Sequence, residues 1–194
     1  LDKMLPLTRE QALELLKSMP QKESDMNHYL ESEAIMKKLA EKFGEDANYW
    51  GILGLLHDID WALTRDNWQE HCSKAEGILK EKGFNPVFIQ IIQSHAYGYP
   101  EIPNFKDKKR TEKIEHCLAA AETLTGLIHA YALMRGGISG MESSGLKKKF
   151  KDKAFAAKCS REIIREIEPY LSLSEFFEVA IKAMQEIKSQ IGLT

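Results

Sequence analysis

Four of the six histidines in this 194-residue chain, His28, His57, His71 and His95, fall on separate predicted helices or at their ends, together with Asp58 and Glu122. Imidazole nitrogens and carboxylate oxygens are the donors that first-row divalent ions accept, and facing helices can hold such donors at fixed distances around an interior cavity. A single imidazole on a mixed helix face is more often a surface residue or a hydrogen-bonded core residue, so number and order matter here. His57 and Asp58 are adjacent, and neighbours on a helix point about 100° apart. They converge on one ion only at the edge between their faces or where the helix unwinds. The segment Gly51-Ile-Leu-Gly-Leu-Leu-His-Asp-Ile-Asp60 offers such a place, because polar donors follow directly on an apolar run. Asp60 either orients a ligand or a water from behind the centre or is a solvated turn residue. His116 and His129 lie on the same predicted helix as Glu122. His129 is seven residues from it, about 10 Å along the axis, too far to share an ion, and both histidines read as structural or as outer support.

The elements that would carry these donors read as helices throughout. Period-2 runs of β-branched residues are missing, and Val occurs only at Val87 and Val179. Thr8 and Gln11 have capping-box spacing and open a helix that ends near Pro20. A second runs from about Asp25 to Phe43, carries His28, and stops at Gly44; a third covers about Asp46 to Leu56. Asp66 and Gln69 suggest another capping box, opening a helix to Lys82 that includes His71 and Cys72. Asn85-Pro86 opens the helix that reaches His95, and an aromatic, Pro-rich loop follows over 96–105. A long helix from about Thr111 to Arg135 carries Glu122 and stops at Gly136-Gly137. After a loop over 136–145, two last helices are predicted at about Asp152 to Ile167 and Ser174 to Gln190. The expected class is all-α, with residues 1–194 forming one helical domain.

Charge and composition narrow the function classes. With 27 Lys+Arg against 29 Asp+Glu and 43% hydrophobic residues, the chain is neither disordered nor collagen-like and can close a core. The charge gives no bulk reason to expect duplex nucleic acid or an anionic membrane as partner. Cys72, Cys117 and Cys159 have no CxxC spacing, which points to a reducing, cytoplasmic context. The longest apolar run, Tyr49 to Leu56, is too short for a transmembrane segment, and no signal peptide is visible. Oligomeric state is left open. The basic clusters at Lys106–Arg110 and Lys147–Lys153, with Arg65 and Arg161, are either solvated surface or partners for phosphate, and the first is the commoner case. Tyr97 and Tyr99 either stack on a substrate ring or pack as a lid. No P-loop or GxGxxG is present.

His28, the apolar run into His57-Asp58, and Glu122 within Leu118-Ala-Ala-Ala-Glu-Thr-Leu-Thr-Gly-Leu-Ile128 together resemble the HD superfamily of metal-dependent phosphohydrolases. The tail, including Lys149-Phe150-Lys151 and Phe155-Ala156, is similar to uncharacterised predicted hydrolases of that superfamily. The resemblance implies an HD-domain-like helical bundle and an ion held by His28, His57, Asp58 and Glu122. The family usually has Asp at the last position, and Glu122 is longer by one methylene. Members with two ions add two histidines, which His71 and His95 match in order, with Asp58 as the bridge. The implied cofactor is one or two divalent transition ions, Fe, Mn, Co, Ni or Zn, with Mg less suited to so many imidazoles. The implied reaction is attack of an activated water on a small phosphate ester or nucleotide, with Asp58 and Asp60 in catalytic roles. Two other readings stay open: a di-iron oxygenase on the same fold, similar to myo-inositol oxygenase, and a non-catalytic metal-binding module. A helical structural protein without an ion is the remaining alternative.

Overall fold

Local capping chemistry sets most helix boundaries. In the computed structural model, which describes residues 4–194, Thr8 and Gln11 exchange side-chain and backbone bonds at the start of α1 (Arg9–Lys17). α2 (Glu23–Phe43) ends where Gly44 turns left-handed at φ 69°, a conformation that costs glycine nothing. The Asp46 carboxylate accepts from Tyr49 N–H and opens α3 (Ala47–Leu56). A short α4 (Trp61–Thr64) follows the His57-Asp58 junction, and α5 (Ser73–Glu81) comes after it. Asn85 caps α6 (Pro86–Ser94), with Pro86 in the first turn where no donor is lost. α7 (Lys113–Arg135) is stopped by Gly136, and α8 (Ser143–Lys151), α9 (Arg161–Arg165) and α10 (Leu173–Glu186) complete an all-α fold with no strand among the described residues.

α3 is the innermost element, buried continuously from Tyr49 to Leu56. Its closest neighbour is α2, and the approach depends on one glycine: a Cβ on Gly54 would lie 2.6 Å from the Ser32 carbonyl oxygen of α2. α7 packs on α2, α6, α8, α9 and α10. By length and apolar content it is the one described helix that could cross a membrane; in the fold it is the central core helix, burying Leu118, Ala121, Leu124, Thr125 and Ile128.

Two predicted helices are corrected. The pattern from Asp66 to Lys82 does not form one helix: a 3-10 turn at Trp68–Glu70 is followed by an extended His71 and a left-handed, fully buried Cys72 at φ 63°. A left-handed non-glycine residue costs about 1 to 2 kcal/mol. Asp60 offsets it, accepting from the His71 ring at 2.9 Å and from Ala75 N–H at 3.0 Å, so the break turns His71 inward while α5 begins. The second, Asp152 to Ile167, is replaced by a run of turns and the short α9, while α8 lies ahead of it and begins inside the loop expected over 136–145. Here the Arg161 guanidinium donates to the carbonyls of Lys149, Phe150, Asp152, Phe155, Ala156 and Cys159, acceptors that a continuous helix would have kept for itself.

Candidate metal centre

His28 projects from the second turn of α2, and His57 caps the C-terminal end of α3. His71 sits in the break before α5, His95 caps the end of α6, and Glu122 lies near the middle of α7. Five elements thus bring together all six residues expected as ligands. Asp58, just past the end of α3, stands between two groups of imidazoles. Its Oδ2 is 3.7 Å from His28 Nε2 and 3.6 Å from His57 Nε2; its Oδ1 is 3.3 Å from His71 Nε2 and 3.1 Å from His95 Nε2. Within each group the Nε2 atoms are close, 3.0 Å for His28 and His57 and 3.3 Å for His71 and His95. Glu122 Oε2 is 4.0 Å from His28 Nε2, while Thr123 Oγ1 donates to Oε1 at 2.5 Å.

The other nitrogen of every one of these rings is tied outward. His28 Nδ1 bonds to Thr125 Oγ1 (2.9 Å), which itself donates to the Glu122 carbonyl (2.6 Å) and therefore accepts from the ring. His57 Nδ1 donates to the Gly54 carbonyl (2.8 Å), His95 Nδ1 to the Ile92 carbonyl (2.7 Å), and His71 Nδ1 to Asp60 (2.9 Å). An acceptor at Nδ1 fixes the proton there, so each Nε2 lone pair points into the centre. Donors held about 2 Å from a shared ion are separated by about 3 Å or slightly more, so the spacing and chemistry of this set fit divalent ions.

Burial and charge act in opposite directions on these groups. Burial pushes the His57 imidazole down to about 3, with His28 and His95 adding to the effect against Asp58. Burial alone would raise the Asp58 carboxyl, yet the His57, His71 and His95 rings outweigh it and hold the group well below the usual carboxylate range. For His71 and His95 burial is outweighed by Cys72 and Asp58, and both are raised. Burial raises the Glu122 carboxyl, opposed by His95 and His28.

Asp60 is fully buried and does not line the cavity over the centre. It accepts from His71 Nδ1 and Ala75 N–H, which places it behind the His71 ring as the residue that orients it. His116 and His129 stay outside, with Nδ1 bonded to Glu166 at 2.8 Å and to Glu31 at 2.5 Å. Arg65 is engaged by Asp25 and the Pro20 carbonyl, and Arg161 by the carbonyls named above. Arg110 binds Glu166 through two nitrogens and also donates to the carbonyls of Ser94, His95 and Tyr97. The cavity, about 380 Å³, has no Lys or Arg in its lining among the described residues. Tyr99 lines it, whereas Tyr97 packs on Phe105. Sequence reasoning missed Asp25, Tyr29, Trp61 and Trp68 in the wall. The helical spacing of Asp25 and Tyr29 around His28, and two tryptophans between Asp60 and His71, were the available signals.

The HD domain family profile matches residues 26–126, a span that contains every residue of the centre. Over 77 residues the chain is 32% identical to Ribonuclease Y of Helicobacter acinonychis (strain Sheeba), covering 40% of this chain and 14% of that protein. No solved structure matches the chain. With the profile spanning His28 to Glu122 on an all-α fold, the chain belongs to the HD-domain family, within a superfamily of metal-dependent phosphohydrolases.

Proposed function

We propose that this protein hydrolyses a small phosphate ester, with one or two divalent ions held by His28, His57, Asp58, His71, His95 and Glu122. The observation that carries the reading is the division of the donors by Asp58: one oxygen faces His28 and His57, the other faces His71 and His95, and every ring is anchored through Nδ1. When bound, divalent ions supply Lewis acidity that activates a water and offsets charge developing on a phosphoryl oxygen. The protein's own part is to hold the donors rigidly. His57 stays neutral through burial and Asp58 stays ionised, so both present lone pairs. Asp60 orients His71, and Thr125 orients His28. An imidazole-rich set of this kind favours Fe, Mn, Co, Ni or Zn over Mg.

The related ribonuclease extends phosphate chemistry to diesters in that protein's name, but a 380 Å³ cavity without a basic lining favours a small molecule here over a nucleic-acid strand. The test is phosphate release from p-nitrophenyl phosphate and a panel of small esters by protein loaded separately with Mn, Co, Fe(II) or Zn, with and without dioxygen. Metal-dependent release that ignores dioxygen supports the hydrolase. Oxygen-dependent turnover would instead identify a di-iron oxygenase, and tight metal binding without turnover would identify a non-catalytic module.

A further inference from the structure

The geometry points to a substrate whose phosphate end also carries, on a short linker, a compact ammonium group held by Trp61, Trp68 and Tyr99. This rests on the proposed phosphohydrolase reading for the phosphate end and on a separate set of residues for the other end. Trp61, Trp68 and Tyr99 line the cavity beside the centre. Trp61 and Trp68 meet at 5.3 Å with their planes 89° apart, and Trp68 and Tyr99 at 6.5 Å with 49° between planes. Trp61 also stands at 78° to the ligand-position ring His71, 5.4 Å away, so the aromatic wall adjoins the centre directly.

Those angles discriminate between ligand shapes. A flat ring such as a nucleobase is held best between parallel faces, and none of these pairs is parallel. Trp61 and Trp68 meet edge to face and Tyr99 is tilted to Trp68, so the wall offers inclined aromatic surfaces rather than a parallel slot, and a rounded cation within about 6 Å of a ring centroid is attracted to that ring's face. Trp68 is 43% exposed, a large ring kept at the cavity mouth with Trp61 and Tyr99 as its aromatic neighbours.

Charge leaves the aromatic wall without a competing cation. The lining contains Asp25, Asp58 and Glu122 and no Lys or Arg among the described residues. Asp25 is paired with Arg65 at 3.3 Å, so its charge is largely offset and the rings themselves carry recognition of the cation. Arg110, the other guanidinium near this wall, is fully engaged by Glu166 and backbone carbonyls. A polyphosphate would find no cationic side chain for its outer groups. A single phosphate on the centre with an ammonium against the aromatic wall matches both ends.

The test compares choline with its uncharged isostere 3,3-dimethylbutan-1-ol, titrated into the metal-loaded full chain and read by tryptophan fluorescence. Both share the hydroxyl and the shape, so any metal contact cancels. Choline should bind about tenfold more tightly. Trp68→Ala, at an exposed position, should remove that preference, and Trp68→Phe should keep part of it. Equal binding of the two alcohols would overturn the inference, as would adenosine displacing choline at lower concentration than choline itself requires. Because this readout needs no turnover, a failed p-nitrophenyl phosphate assay would count against the hydrolase reading alone, and a lost choline preference against the ammonium site alone.

Discussion

The two sides of Asp58 are built differently. His28, His57 and Glu122 sit on or at the end of long, regular, well-buried helices, α2, α3 and α7, and are placed by helix packing. His71 sits at a chain break and His95 at the C-terminal end of the short α6, and both are held by polar clasps: Asp60 on the His71 ring, and Arg110 on the backbone carbonyls around His95. One side depends on close-packed backbone and the other on a few buried hydrogen bonds. The first should yield to changes in volume, the second to changes in charge and hydrogen bonding.

The largest expected effect is on the clasped side. Arg110→Ala would leave three carbonyls without this donor and Glu166 with His116 as its remaining partner; removing one member of a buried ion pair costs about 3 to 5 kcal/mol, and the partly exposed, still partnered Glu166 places this change near the lower end. Denaturant unfolding measures it, and a loss under about 1 kcal/mol would show that the clasp holds little. Next comes Gly54→Ala on the packed side, where the new methyl meets the Ser32 carbonyl on α2 and the chain must move, at about 1 to 3 kcal/mol. Gly51→Ala is its control, since the contact there is the flexible Lys37 side chain, and it should cost clearly less.

Asp60→Ala should lower metal affinity about 10- to 100-fold at the His71–His95 side while leaving the His28–His57 side nearly unchanged. Calorimetric metal titration resolves the two, and an equal loss at both would erase the distinction between the sides. The smallest effect lies outside the centre. The Glu31 hydrogen bond raises the His129 imidazole from 6.5. Its contribution to stability is therefore full below about pH 6.5 and is lost as pH rises through the raised folded value. His129→Gln should flatten the stability profile in that window and leave metal stoichiometry unchanged.

These same differences decide what could be read from the sequence. The caps at Thr8 and Asn85 and the stops at Gly44 and Gly136 are local chemistry, and the structure has them where the sequence places them. The His57-Asp58 junction was legible because an apolar helix ends there in ligand-type residues. The turn at His71-Cys72 was not, because helical periodicity continues across it and the force that breaks it comes from Asp60, eleven residues upstream of His71. The turns over 152–159 escaped for the same reason: Arg161 gathers carbonyls that a sequence pattern assigns to a helix. The ligand residues were legible by type and order, whereas the outward anchors at Gly54 and Ile92 are backbone carbonyls and leave no mark in the sequence. The aromatic wall stayed hidden because Trp61 and Trp68 meet only through the turn that the pattern misses.

The shared role of Asp58 is tested most directly by metal content after reconstitution with excess Mn(II) or Fe(II) and removal of free ion. The intact protein should retain metal, and Asp58→Ala should lose it from both sides together with phosphate-ester hydrolysis, because each oxygen of this carboxylate faces one pair of imidazoles. Full metal occupancy in a folded Asp58→Ala protein would contradict the account.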